Sequence, residues 1–109
     1  MKLLTKELEK QFPKLYETEE VPLEEKKVIA KFFTPWTTWT LYAVEWDGQD
    51  LFWGLVDGQE KEWGYFSLRE LKSIKGPWGL TIERDLYFGM PKMKDISALK
   101  GREASWCYE

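Results

Sequence analysis

The chain is 109 residues long and carries 16 basic against 19 acidic side chains, which gives a net charge of −3. This length predicts one domain, and the missing basic excess argues against tight binding of duplex nucleic acid. The chain contains no histidine, which excludes Ser-His-Asp and Cys-His catalysis and the usual zinc sites. We therefore expect neither a metal site nor a cofactor.

The N-terminal ten residues include charged side chains, and no apolar run approaches the length of a membrane span. These two features predict a cytoplasmic protein that does not enter a membrane. The single cysteine, Cys107, cannot form a disulfide within the chain, and we interpret it as incidental.

Aromatic residues are the unusual part of the composition, with seven Trp, five Tyr and six Phe. A small domain can use such large side chains to bury enough apolar area. Trp and Tyr also line pockets and partner surfaces. We expect most of these rings to lie in the core and a few to line a binding surface.

The N-terminal segment has the apolar spacing of a helix. Leu4, Leu8 and Phe12 recur at helical intervals after a threonine that can cap the helix, and Pro13 ends the pattern. This predicts a helical arm over residues 4–16. The five glutamates that follow in residues 17–25 are typical of a solvated loop, although they could also imitate a phosphate backbone or bind a basic partner.

Five apolar runs predict strands, namely Val28–Phe33, Thr37–Trp46, Leu51–Val56, Trp63–Phe66 and Leu80–Glu83. In the second run, strict alternation places Tyr42, Val44 and Trp46 on one face and Trp39, Leu41 and Ala43 on the other. Both faces of the third run are apolar. We therefore expect the centre of the sheet to be covered on both sides, or to bind something on one side.

Two further short helices are predicted. Ser67 and Glu70 form a capping box that starts one helix, which Gly76–Gly79 ends, and Asp95–Leu99 indicates another. The order of elements predicts an α+β single domain over residues 1–109, with a mainly antiparallel four- to five-stranded sheet and short flanking helices. Residues 27–88 would form its core, and residues 90–109 a C-terminal tail.

The densest cluster of unlike charges, Glu83-Arg84-Asp85, is the best candidate site. If a strand continues through it, the two carboxylates face one way and Arg84 the other. The carboxylates could hold a divalent metal or act as acid and base, but we favour a structural role for them. Arg84 is as well suited to gripping an anion as to pairing with an internal carboxylate.

We also predict an aromatic pocket beside Arg84, with Trp39, Tyr42, Trp53 and Tyr65 as its walls. It would take a small anionic ligand or the acidic side chain of a partner protein. A homodimer could instead bury the same patch, so we expect a monomer or a homodimer. For duplex nucleic acid the chain offers one small basic patch, made of Lys92, Lys94, Lys100 and Arg102.

The segments FFTPWTTWTLYAVE, LFWGLVDGQEKEWGYFSLREL and GLTIERDLYF resemble the DUF2958 family of small uncharacterised bacterial proteins. The resemblance spans roughly residues 27–88, and its most specific blocks are Trp63–Leu71 and Ile82–Phe88. One departure is Trp63, where a smaller aliphatic residue is more usual in the family.

Members of this family resemble cargo of plasmids, phages and integrative conjugative elements, and the resemblance brings no established activity. It implies a non-catalytic binding protein of a mobile genetic element. Such a protein would act in counter-defence, by inhibiting a host defence protein or sequestering a small nucleotide-like ligand. The alternative is a divalent-metal-dependent enzyme that uses Glu83 and Asp85.

Overall fold

The computed structural model describes residues 2–96, which form a single α+β domain. Its helices are α1 (Lys6–Glu9) and α2 (Leu68–Ser73), and its strands are β1 (Ala30–Phe33), β2 (Thr40–Trp46), β3 (Leu51–Asp57), β4 (Lys61–Ser67) and β5 (Glu83–Arg84). Short 3-10 turns lie at Leu23–Glu25, Pro77–Gly79 and Met93–Asp95. The strands form one antiparallel sheet in the order β4-β3-β2-β1-β5. The predicted fold class is confirmed.

Local signals in the sequence account for the ends of these elements. Thr5 caps α1 by accepting a hydrogen bond from the backbone N–H of Leu8 at 3.1 Å. α1 is a single turn, so the predicted helical arm is much shorter than residues 4–16. The Asp47 carboxylate accepts backbone N–H groups of the next turn, from Gln49, Asp50 and Leu51 at 2.8, 2.8 and 3.0 Å. This side chain closes the β2–β3 hairpin.

The strand β2 contains a bulge that the alternation of its sequence does not reveal. Ala43 lies opposite Gly54, but Glu45 lies opposite Trp53, so Val44 is an extra residue in the ladder. The extra residue reverses the alternation that follows it. The prediction that Trp46 shares the face of Tyr42 and Val44 is therefore wrong, because Trp46 packs on the opposite face.

Both faces of the sheet are covered by apolar side chains. The first face packs against Leu3, Leu4 and Leu8 from the N-terminal segment and against Leu68 and Leu71 from α2. The ring of Phe52 is at its centre, within 4.4–5.5 Å of the rings of four other aromatic residues, Phe12, Phe32, Trp46 and Phe66.

The second face packs against the chain that follows β5. Its buried residues are Val28, Tyr42, Val44, Leu55, Met93 and Ile96. Tyr42 is only 1% exposed there, so it serves the core. The predicted helix at Asp95–Leu99 does not start in the described chain, because a 3-10 turn at Met93–Asp95 ends there and Ile96 is extended. Residues 97–99 lie outside the described residues, as do Cys107 and most of the tail. No helix within residues 2–96 is long and apolar enough to cross a membrane.

Hydrogen bonds at the start of α2 connect this helix to Asp50 in the β2–β3 hairpin. The Ser67 hydroxyl accepts the backbone N–H of Glu70 at 3.3 Å, as the capping box predicts, and donates to the Asp50 carboxylate at 2.6 Å. The same carboxylate accepts the backbone N–H of Arg69 at 2.8 Å. The hydrogen bond from Ser67, followed by that from Arg69, lowers the pKa of Asp50 below its usual value of 3.8.

This lowered pKa predicts a pH-dependent contribution of Asp50 to stability. The contribution is fully present above the unfolded pKa of about 4 and is lost as pH falls through the lower folded pKa. We expect Asp50→Asn to lower the free energy of unfolding at pH 7, with a gap to the wild type that closes as the solution is acidified. Urea unfolding over this pH range measures the gap, and a gap that does not change with pH would contradict the prediction.

Close backbone contact beside the bulge in β2 requires a glycine at position 54. A Cβ atom there would lie 1.9 Å from the backbone oxygen of Tyr42, whereas a Cβ at Gly64, directly opposite on β4, would meet nothing within 4 Å. We expect Gly54→Ala to cost about 3 kcal/mol or more in the free energy of unfolding. Gly64→Ala is the matched control and should change it by less than about 1 kcal/mol. Equal losses in the two variants, measured by urea unfolding, would refute this account of the bulge.

Candidate functional site

An open groove of about 490 Å³ lies at the β1–β5 edge of the sheet. We call it the Trp39–Arg84 groove. The end of β1, the loop that joins β1 to β2, and β5 with the turn after it form its walls. Its lining residues are Lys31, Phe33, Thr34, Thr37, Thr38, Trp39, Thr40, Glu83, Arg84, Asp85, Leu86 and Tyr87.

Hydroxyl groups in the β1–β2 loop fix the position of Trp39. The hydroxyls of Thr34 and Thr37 hydrogen-bond to each other, and Thr37 Oγ1 also accepts the backbone N–H of Trp39 at 3.1 Å. The indole lies so close to Gly58 that a Cβ at that glycine would be 2.7 Å from the ring. The ring is held against the β3–β4 turn and is still 43% exposed toward the groove.

On the opposite wall, a turn after β5 presents two exposed apolar side chains. Asp85 donates its backbone N–H to the Lys31 carbonyl at 2.9 Å, and its carboxylate accepts the backbone N–H of Tyr87 at 3.0 Å. This turn leaves Leu86 58% exposed and Tyr87 94% exposed. These two hydrogen bonds fix the position of Asp85 in the turn.

Four charged residues line the groove, namely Lys31, Glu83, Arg84 and Asp85. Glu83 pairs with Phe33 and Arg84 with Phe32, so these two side chains leave β5 in opposite directions. Both still line the groove, because it lies at the edge of the sheet. Within residues 2–96 no group of three or more His, Cys, Asp or Glu side chains is placed to hold a metal ion. Glu83 and Asp85 thus lack a third such ligand in the described chain.

The five predicted binding residues do not come together. Arg84 and Trp39 share the groove, Tyr42 is buried in the second core, and Trp53 and Tyr65 line a separate pocket of about 220 Å³. Sequence reasoning missed Lys31 and Tyr87 in the groove. The alternation of β1 could have indicated Lys31, since the sequence places a lysine between two apolar neighbours there.

The second pocket lies under a segment that we call the strap, residues 14–26. It is lined by Tyr16, Glu19, Lys26, Glu45, Trp53 and Tyr65. Because of the bulge, Glu45, Trp53 and Tyr65 form one row across three adjacent strands. This row gives the strap its attachment points on the second face of the sheet.

A buried carboxylate holds the strap. Glu45 is 4% exposed and accepts the backbone N–H groups of Tyr16 and Thr18 at 2.8 and 3.0 Å, and the hydroxyl of Thr18 as well. Tyr16 adopts a φ of 69°, a left-handed conformation that costs a non-glycine residue roughly 1–2 kcal/mol. The bonds to Glu45 offset this cost.

Lys26 completes the network. Its ammonium donates to the carbonyl and hydroxyl oxygens of Thr18 and lies 5.4 Å from the centre of the Trp53 ring. Burial lowers the pKa of Lys26, while Glu45 and Glu19 act in the opposite direction. Tyr65 donates its hydroxyl to that of Tyr16 at 3.2 Å, and this bond raises the pKa of Tyr65. Glu45, Lys26 and the two tyrosine hydroxyls thus each have a hydrogen-bond partner in this part of the fold.

The acidic stretch and the basic patch pair with each other. Glu25 accepts Lys92 at 3.0 Å and Lys94 at 2.8 Å, and these two lysines, Lys94 first, lower its pKa. The other two predicted members of the patch, Lys100 and Arg102, lie outside the described residues. Glu25 thus neutralises part of the charge of both lysines.

The network around Glu45 yields a prediction about stability. Glu45→Gln keeps the shape of the side chain but replaces one acceptor oxygen by a donor, which leaves a partly buried N–H of the strap without an acceptor. We expect the free energy of unfolding to fall by about 1–3 kcal/mol. Glu62→Gln, on the exposed side of β4, is the matched control and should stay within about 0.5 kcal/mol. Urea unfolding that finds equal effects would show that the carboxylate does not hold the strap.

Comparison with known proteins places the chain in a family without assigning it an activity. No curated protein and no solved structure matches it. A family model described as a protein of unknown function, DUF2958, matches residues 3–100, which include both the groove and the strap. That match covers nearly the whole chain, and the protein therefore belongs to the DUF2958 family.

Proposed function

We propose that this protein is a non-catalytic binding protein of a mobile genetic element that acts in counter-defence, and that the Trp39–Arg84 groove holds part of a partner protein. The observation that carries the proposal is the composition of the groove. Exposed Trp39, Leu86 and Tyr87 lie beside Arg84 in a single concave surface. Tryptophan, tyrosine and arginine are the residue types most enriched at the energetic centres of protein interfaces.

The charges of the groove favour a protein segment over a free anion. Lys31 and Arg84 are balanced by Glu83 and Asp85, so the lining creates little net field to attract a small anionic ligand. A partner's acidic side chain would contact Lys31 and Arg84, and its apolar neighbours would pack against the exposed rings. The groove of about 490 Å³ has room for several such side chains.

The role in counter-defence is proposed from the resemblance to this family, whose members resemble cargo of plasmids, phages and conjugative elements. An inhibitor of a host defence protein needs a specific surface and no turnover. The chain offers such a surface and lacks the histidine and cysteine pairs on which many catalytic sites depend. A host defence protein is accordingly the partner class that we propose.

The test is capture of a partner from cells of a bacterial host, with native mass spectrometry of the purified complex. Tyr87→Ala and Lys31→Glu should each weaken capture by about tenfold or more, since they remove an exposed ring and reverse a charge of the groove. Trp78→Ala is the control, because Trp78 is 95% exposed but does not line the groove. It should capture as well as the wild type.

Two outcomes would overturn the proposal. One is a wild-type protein that is recovered with neither partner nor ligand. The other is a partner whose capture is weakened by Trp78→Ala and unaffected by Tyr87→Ala and Lys31→Glu. A small anionic molecule bound to the wild type and absent from Lys31→Glu would instead support sequestration of a small ligand, the other form of binding implied by the sequence.

A further inference from the structure

The strand β4 forms the other edge of the sheet, and two hydrogen bonds show which of its backbone groups point outward. Leu68 donates its N–H to the Asp50 carbonyl at 2.7 Å, and Gly58 donates to the Glu60 carbonyl at 3.1 Å. Both bonds belong to the register that pairs Gly54 with Gly64. Hydrogen-bonded pairs alternate in an antiparallel ladder, so the even positions of β4 bond to β3. The backbone groups of Trp63 and Tyr65 therefore face away from the sheet.

Among residues 2–96, this edge has no covering strand, no bulge and no proline to prevent further pairing. Within residues 2–96, no backbone group hydrogen-bonds to the outer side of Trp63 or Tyr65. The register between β3 and β4 runs without a bulge from Leu51–Ser67 to Asp57–Lys61, and β4 contains no proline. Its charged residues, Lys61 and Glu62, lie at one end. An edge strand of this length and regularity is a template for another strand.

We infer that β4 pairs with β4 of a second copy, antiparallel and around a twofold axis through Gly64, to form a continuous ten-stranded sheet. In this register the outward N–H and C=O groups of Trp63 meet those of Tyr65 in the second copy, and the reverse pair forms by symmetry. Gly64 lies at the axis, where space is open because nothing lies within 4 Å of its Cβ position.

In this register the side chains of β4 in one copy are complementary to those of β4 in the second copy. Trp63 stacks on Trp53 at 4.9 Å, and Tyr65 of the second copy extends this row of rings across the interface. At each end, Lys61 comes opposite Ser67 of the second copy, whose hydroxyl is bonded to the Asp50 carboxylate at 2.6 Å. Each end of the antiparallel pair thus brings a lysine toward a serine that is bonded to a carboxylate.

The dimer leaves the proposed binding function intact, because the two surfaces are at opposite edges of the sheet. The Trp39–Arg84 grooves would lie at the far ends of the ten-stranded sheet, open to two partner molecules or to a symmetric one. One pair of seven-residue strands buries less than the roughly 1,200 Å² of a stable interface. The dimer is therefore weak and forms in the micromolar range or above.

Sedimentation equilibrium from micromolar to millimolar protein tests the proposal. Tyr65→Pro removes one outward N–H and keeps every bond to β3, whereas Tyr65→Ala loses the same ring and keeps that N–H. We expect the wild type and Tyr65→Ala to dimerise, and Tyr65→Pro to do so at least about tenfold more weakly. A wild type that remains monomeric at the highest concentration, or equal dimerisation of the two variants, overturns it.

A disulfide test does not depend on the folding of the proline variant. In a Cys107→Ser background, Gly64→Cys places two thiols at the axis, roughly 4.5 Å apart between Cα atoms, which a disulfide can span. Glu62→Cys is the matched control on the same face of β4, because its two copies would be separated by four residues, roughly 13 Å. Oxidation should cross-link Gly64→Cys alone. Equal cross-linking of the two variants would refute the register.

Discussion

The bulge at Val44 is the local constraint on which the rest of this structure depends. One extra residue in β2 rotates Trp46 into the first core and turns Glu45 toward the second face, beside Trp53. Both changes of direction stabilise the fold. Trp46 completes the cluster of rings around Phe52, and Glu45 supplies the acceptors that hold the strap against the sheet. The backbone approach at the bulge leaves no room for a side chain at Gly54.

Both faces of the sheet are covered by other parts of the chain, and this limits the surfaces on which the protein can bind a partner. The N-terminal segment and α2 cover one face, and the strap and the chain around Met93 cover the other. The faces are consequently occupied by the chain's own side chains, and the surfaces that remain are the two edges. One edge carries the Trp39–Arg84 groove and the other carries β4.

Local patterns in the sequence predicted four of the strands and the Ser67 cap, because each depends on residues within a few positions of one another, whereas the predicted strand Leu80–Glu83 shares only Glu83 with β5. The bulge was missed because the apolar residues of β2 alternate without a break, and the reversal at Glu45 depends on pairing with β3. For the same reason Tyr42 was assigned to a surface. Its burial comes from Met93 and Ile96, about fifty residues away in the chain. A glutamate inside the apolar run LYAVEW was the available signal of a buried carboxylate.

The sequence predicted only part of the candidate site, because pairing between distant strands decides which residues come together. Trp39 and Arg84 stand out by residue type alone, and β1–β5 pairing brings them to one edge. Trp53 and Tyr65 have the same chemistry, yet the strap bonds to them and makes their pocket part of the fold. What separates the two aromatic surfaces is therefore the strap, which bonds to one of them. In the strap pocket, Glu45 and Lys26 both bond to Thr18, and the hydroxyls of Tyr16 and Tyr65 bond to each other, whereas Leu86 and Tyr87 extend into solvent beside Arg84. A surface whose apolar groups remain exposed gains the most from a partner, since burial on binding removes area that folding left in contact with water.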